Sequence, residues 1–233
     1  MAGLNASKVK SVNSGNRVEQ EVVEPGTYPA RLVQVIDLGV QPGRMFEGKQ
    51  KPPSHQIHVT YELTDEFMKD EDGNDVEDKP RWISESFPLY SLTSDLAKST
   101  KRAKAIDAGN LHNGDWGAMV GMGCNVTVGT YVGKKDGKTR NGVNNVSAMR
   151  SRDIERLEPL VNEPKVFNLE EPDLEVLMSL PEWLQEKIKS NLEYQGSVLQ
   201  QVLEGGSPAP TKEAEPEEPE QEDEQGEEGN GAW

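Results

Sequence analysis

Between residues 55 and 63 apolar and polar side chains alternate without a break: Ile57, Val59, Tyr61 and Leu63 on one face, Gln56, His58, Thr60 and Glu62 on the other. Period two over that length predicts a strand buried on one side only. Just upstream, residues 26–39 run between glycines, rich in β-branched residues and with no helical stripe. Leu32, Val33, Val35 and Ile36 put apolar groups on both faces there, which predicts a long central strand with neighbours packed over each side. Pro29 lacks a backbone donor and places the start of that strand at an edge or bulge. Between the two lies a loop, residues 40–54, with Pro42, Gly43, Gly48, Pro52 and Pro53. After them comes an acidic excursion, residues 64–80, turning at Asp72-Gly73-Asn74, and then a third strand, residues 81–89, carrying Trp82 and Phe87.

The period then changes. Ser94 can cap a helix, Asp95 suits its positive N-terminal end, and Gly109 can end it. Leu96, Ala97, Ala103 and Ile106 form its apolar side, and Lys98, Lys101, Arg102 and Lys104 its solvated one. Residues 124–132 and 143–149 predict a hairpin around Asp136-Gly137. The order strand, strand, strand, helix, strand, strand fits a mainly β protein, a five-stranded OB-fold barrel with a helix between strands 3 and 4. Four regions follow: a flexible N-terminal arm (1–24), the OB-fold domain (25–150), a linker and C-terminal helical segment (151–204), and a disordered acidic tail (205–233). In the third, Pro159, Pro164 and Pro172 break up the linker. Ser179-Leu180-Pro181-Glu182 is a capping box, and Trp183, Leu184, Ile188 and Leu192 fall on one face of the helix it opens. That helix is expected to dock on the barrel or on a neighbouring subunit.

Composition sharpens the tail more than the domain. Of a net charge of −16, residues 205–233 carry −9, from ten carboxylates against one lysine. Such a segment, rich in Glu, Pro and Gly, cannot form a core. The single cysteine, Cys124, excludes an internal disulfide, and there is no signal peptide or membrane-length apolar run. The expectation is a cytoplasmic protein without membrane contact.

No catalytic constellation emerges, and neither cofactor nor metal is expected. His55, His58 and His112 share no metal-ligand spacing. The Asp70–Asp75 run lacks the twelfth-position glutamate and flanking helices of a calcium loop. Binding of a nucleic-acid strand has more support. An OB-fold binds on its second and third strands, between the first-to-second and fourth-to-fifth loops. Those are the basic loops here: Arg44, Lys49 and Lys51 in the first, Lys134, Lys135, Lys138 and Arg140 in the second. Phe46, Trp82 and Tyr131 supply aromatic faces, with His58 and Arg81 on the strands between.

The tail ends Gly-Asn-Gly-Ala-Trp, an aromatic with nothing of its own to pack on. An OB-fold followed by such a tail resembles the single-stranded-DNA-binding proteins of bacteria and their phages. Gly26-Thr27-Tyr28-Pro29-Ala30-Arg31-Leu32, Asp37-Leu38-Gly39 and the run from Leu180 to Ile188 resemble tailed-phage proteins of this kind. The resemblance implies a non-enzymatic coat on single-stranded DNA in replication or recombination, able to assemble as a homo-oligomer on DNA, in the host cytoplasm. It implies that the tail competes with DNA and recruits replication or recombination proteins through Asp223, Glu224, Glu227, Glu228 and Trp233. The bacterial tail ends in a proline–phenylalanine pair, where this one ends in Ala232-Trp233. The rival reading is an acidic adaptor or assembly protein whose barrel binds protein.

Overall fold

A computed structural model describes residues 22–134 and 136–205 of the chain. Its centre is β1 (Gly26–Gln41), with β4 (Ser54–Lys69) antiparallel on one side and β6 (Gly123–Val132) on the other. β5 (Asp75–Pro88) continues from β4, and β7 (Thr139–Ser147) from β6. The five long strands form one strongly curled antiparallel half-barrel in the order β5-β4-β1-β6-β7. Within the first loop, β2 (Met45–Phe46) and β3 (Lys49–Gln50) make a separate ribbon. The expected strands exist, and each is longer than the sequence suggested, β4 and β5 by the most. β4 runs on to Lys69 and β5 begins at Asp75, so the acidic excursion is the tip of their hairpin.

The concave face holds the main core. Leu32, Val35, Val59, Tyr61, Leu63, Ile83, Phe87, Cys124, Val126 and Val128 close it, with Trp116 tilted against Phe87 at 5.5 Å. Burial pushes the Cys124 thiol up to about 12, so it is a packing group rather than a nucleophile. Helix α1 (Lys98–Ile106) lies by the edges of β5 and β7. It starts later than Ser94 because that residue is spent in a turn, taking the Ala97 amide on its carbonyl. Ser99 and Thr100 instead tie the first turn to Tyr90 and Ser91. Two expectations fail on this helix. Leu96 is exposed, and Arg102 is buried. Its Nε donates to Glu85 at 2.8 Å and its Nη1 to Asn145 at 3.0 Å, while Tyr61 gives its hydroxyl to the same Glu85. A guanidinium on the presumed solvated side thus bridges the two free margins of the sheet.

The convex face overturns the expectation of a half-buried strand. Gln56, His58, Thr60 and Glu62 are as buried as their apolar neighbours, because the chain after β7 folds back over them. After the short α2 (Ser151–Ile154), Arg31 holds the carbonyls of Leu157 and Glu158. Then β8 (Lys165–Phe167) pairs parallel to Gln34–Ile36 of β1, beyond the point where β6 leaves it. Helices α3 (Leu174–Ser179), α4 (Glu182–Lys189) and α5 (Val198–Leu203) complete a second core of Phe167, Leu177, Leu184, Ile188 and Leu199 around Ile36 and Leu38. Each such buried side chain stabilises the docking by about 1.5–3 kcal/mol. The α4 helix therefore docks on its own sheet. Its Ser179 does not cap, since that hydroxyl donates to Val176 and accepts from Lys165. No helix among the described residues is long and apolar enough to cross a membrane.

Candidate functional site

Three of the expected binding residues meet at the seam of the half-barrel. β5 and β7 end the sheet on opposite sides, and the curl brings their margins face to face across a groove of about 360 Å³. Arg81, Trp82 and Ser84 line it from β5, Thr139 and Arg140 from β7, and Met68 from β4. Strand pairing sets each position. Trp82 faces Glu62 across β5–β4, and its indole Nε1 donates to that carboxylate at 3.0 Å. Even so tethered, Trp82 is 40 % exposed. Arg81 points one of its nitrogens at Met68 Sδ, 3.4 Å away.

On the other wall, Arg140 is held by Asp136, which lies in the same turn and whose carboxyl the guanidinium keeps well below the usual range. Tyr131 pairs with Arg140 across β6–β7 and is 54 % exposed. Its ring lies over Gly142, where an added Cβ would sit 3.2 Å from it. Asn141 takes both backbone groups of Val23 on its side-chain amide, so residue 22 enters the groove beside β7. Lys134 and Lys138 are exposed in the turn, and Lys135 falls outside the described residues.

The first loop is elsewhere. It leaves from Gln41 at the far end of β1, whereas Val128, near the second loop, pairs with Gly26 at the beginning. Arg44, Phe46, Lys49 and Lys51 are exposed together on its ribbon, the Lys51 ammonium 4.6 Å from the Phe46 ring centre. The sheet face between the two basic loops is not open. At one end Glu62, 1 % exposed, accepts from the Val161 amide at 2.7 Å and from both nitrogens of Asn162. At the other, the Trp183 ring stands nearly perpendicular to that of His58, their centres 5.5 Å apart.

His58 accordingly leaves the candidate set. It is 6 % exposed, hydrogen-bonded to Ser86, and unable to reach a base. Burial, with the Lys187 ammonium nearby, brings its pKa down to about 4. The tail residues Asp223, Glu224, Glu227, Glu228 and Trp233 and the arm up to residue 21 fall outside the described residues.

Sequence reasoning missed Glu62, the acid that fastens Trp82 and the covering segment to one point. It stood on the polar half of a regular alternation, with nothing to mark it from Gln56 or Thr60. It also missed Asp136, whose pairing reduces the positive field of the second loop. A further cavity of about 540 Å³ opens near His55, Tyr90 and Trp116. There Asp37 bonds His55 Nε2 at 2.6 Å and raises its pKa. Among the described residues no three His, Cys, Asp or Glu side chains gather in metal-holding geometry. No protein-family model matches the chain, and no curated protein matches it.

Proposed function

We propose that the protein binds single-stranded DNA without strong sequence preference, along the seam groove and the turn beside it. The observation that carries this reading is the convergence of Arg81, Trp82 and Arg140 on one groove, with Tyr131 on the neighbouring strand pair. Guanidinium groups neutralise phosphates, and half-exposed flat rings accept bases at about 1–3 kcal/mol each. The groove is open, so a strand can be laid in along its length. The strand order, with a helix between the third and fourth long strands, supports reading the half-barrel as an OB-fold. The role we infer is that of a phage-type coat protein: non-enzymatic, cytoplasmic, and recruiting replication or recombination proteins through its acidic tail.

A second reading keeps one observation in its favour. Met178, Trp183 and Leu192 of the C-terminal helical segment are 66 %, 54 % and 56 % exposed, which suits an adaptor that binds protein. Titrating labelled single- and double-stranded DNA over a salt series separates the two. Our reading expects single strands to bind better, affinity to fall as salt rises, and Trp82→Ala to weaken binding in a chain that is still folded at the assay temperature, the lost hydrogen bond to Glu62 lowering the melting temperature only modestly. Equal affinity for duplex and single strand, or none at low salt, favours the adaptor.

A further inference from the structure

The ribbon β2–β3 does not belong to the seam groove. Trp82 is level with Arg31 through Glu62, and the ribbon departs beyond Gln41, about 30 Å of strand further along β1 at ~3.3 Å per residue. The face between them is covered by the chain after β7. Phe46 therefore cannot extend a stack of bases begun on Trp82. It must meet a different part of any bound nucleic acid.

The ribbon is built to project. Glu47 and Gly48 turn it with φ of 49° and 74°, the left-handed pair that joins two strands with two residues. At its base the Lys51 amide donates to the Arg44 carbonyl at 3.0 Å. The strands approach so closely there that a Cβ on Gly43 would overlap the Lys51 carbonyl. Pro52 and Pro53 then stiffen the exit.

Its two faces differ. Pairing puts Phe46 opposite Lys49, and Arg44 level with Lys51. Alternation then places Arg44, Phe46, Lys49 and Lys51 on one face and Met45 with Gln50 on the other. Phe46 and Met45 are 57 % and 68 % exposed. The result is a thin blade with an aromatic among three cations on one side and a bare thioether chain on the other. Side chains of this kind enter between base steps and unstack them.

We propose that this ribbon is a wedge for the junction between duplex and single strand. Phe46 stacks on the first unpaired base of one strand while Arg44, Lys49 and Lys51 hold its phosphates, and Met45 presses the partner strand away. The proposal rests on the single-strand reading, since the seam groove captures the strand set free. It needs no nucleotide hydrolysis, because holding the released strand offsets the lost base pair.

The test uses the full chain and three DNAs: a fork with single-stranded arms, the arm alone, and a blunt duplex. A 2-aminopurine stands at the first paired position of the fork. The expected result is about tenfold tighter binding to the fork than to the arm, with a rise in 2-aminopurine fluorescence as the base unstacks. The double variant Met45→Ser/Phe46→Ser loses both effects, keeps its melting temperature, and loses much less affinity for the arm than for the fork. Intact binding to the arm with no fork preference and no fluorescence change overturns the wedge alone. Failure of the unaltered protein to bind the arm overturns the parent reading as well. Pelleting with anionic vesicles that the double variant loses reassigns the ribbon to a lipid surface and also overturns the wedge.

Discussion

Acidification should loosen this protein through His58. In the folded chain the ring is buried, with Nδ1 2.9 Å from Ser86 Oγ and the Trp183 ring packed against it at nearly a right angle. Burial holds its pKa at about 4, against 6.5 for an unhindered histidine. Between those values the unfolded chain takes up a proton that the folded chain refuses. Stability supplied by the neutral ring is therefore fully present above about 6.5 and is lost as the pH falls towards 4. At about 1.4 kcal/mol per pH unit, that window is worth about 3 kcal/mol. His55 acts in the opposite sense. Its pKa is raised by the hydrogen bond to Asp37, so its pairing is present on acidification and is lost as the pH rises through that raised pKa. A glutamine at position 58 can still meet Ser86 and does not titrate, while His55 is common to both proteins. Urea unfolding of wild type and His58→Gln at about pH 7 and about pH 4 isolates the contribution. Wild type should lose about 3 kcal/mol more than the variant across that range. Equal losses would show that the ring is hydrated and that Trp183 does not seal it.

Arg102→Met should cost about 3–5 kcal/mol, because it leaves Glu85 buried against the Tyr61 hydroxyl with only the half-exposed Lys98 as a cation. Pairing it with Glu85→Leu should recover most of the loss in a denaturant double-mutant cycle, and a cost under about 1 kcal/mol would mean α1 does not close the seam. Deleting residues 205–233 should raise affinity for single-stranded DNA most at low salt, since a tethered polyanion competes at high effective concentration. Trp233→Ala should spare that affinity and impair capture of a replication partner; unchanged DNA affinity after deletion at every salt would leave the tail a solubility device.

Much of the sheet was legible because its signals are local. Alternation in β4, glycine limits around β1 and the Asp136-Gly137 turn each depend on a few neighbouring residues. What remained hidden depends on segments far apart in the chain. Nothing near Thr60 or Glu62 announces that residues 157–167 will lie on them, so a strand buried on both faces looked half-buried. β8 has three residues inside a proline-broken stretch, too short for any period. Arg102 followed the helix's charged stripe while its actual partner, Glu85, came from the preceding strand. For the site, residue types were readable and their grouping was not. Among the described basic loop residues, Arg44, Lys49 and Lys51 lie beyond one end of β1 and Lys134, Lys138 and Arg140 near the other, and the seam selects only Arg140 from them.

The parallel pairing of β8 with β1 also sets an order of events during synthesis. β1 and β4 can zip together once residue 69 has emerged, yet the strand and helices that cover Ile36, Leu38 and His58 lie between residues 165 and 203. At roughly 5–20 residues per second, the ribosome needs on the order of ten seconds to deliver them. During that interval the nascent sheet offers the apolar Ile36 and Leu38, and beside them the uncovered His58, to whatever is nearby. The last step of folding is then the arrival of the C-terminal helices on a half-barrel already formed. It should be the slow, long-range phase of a refolding experiment.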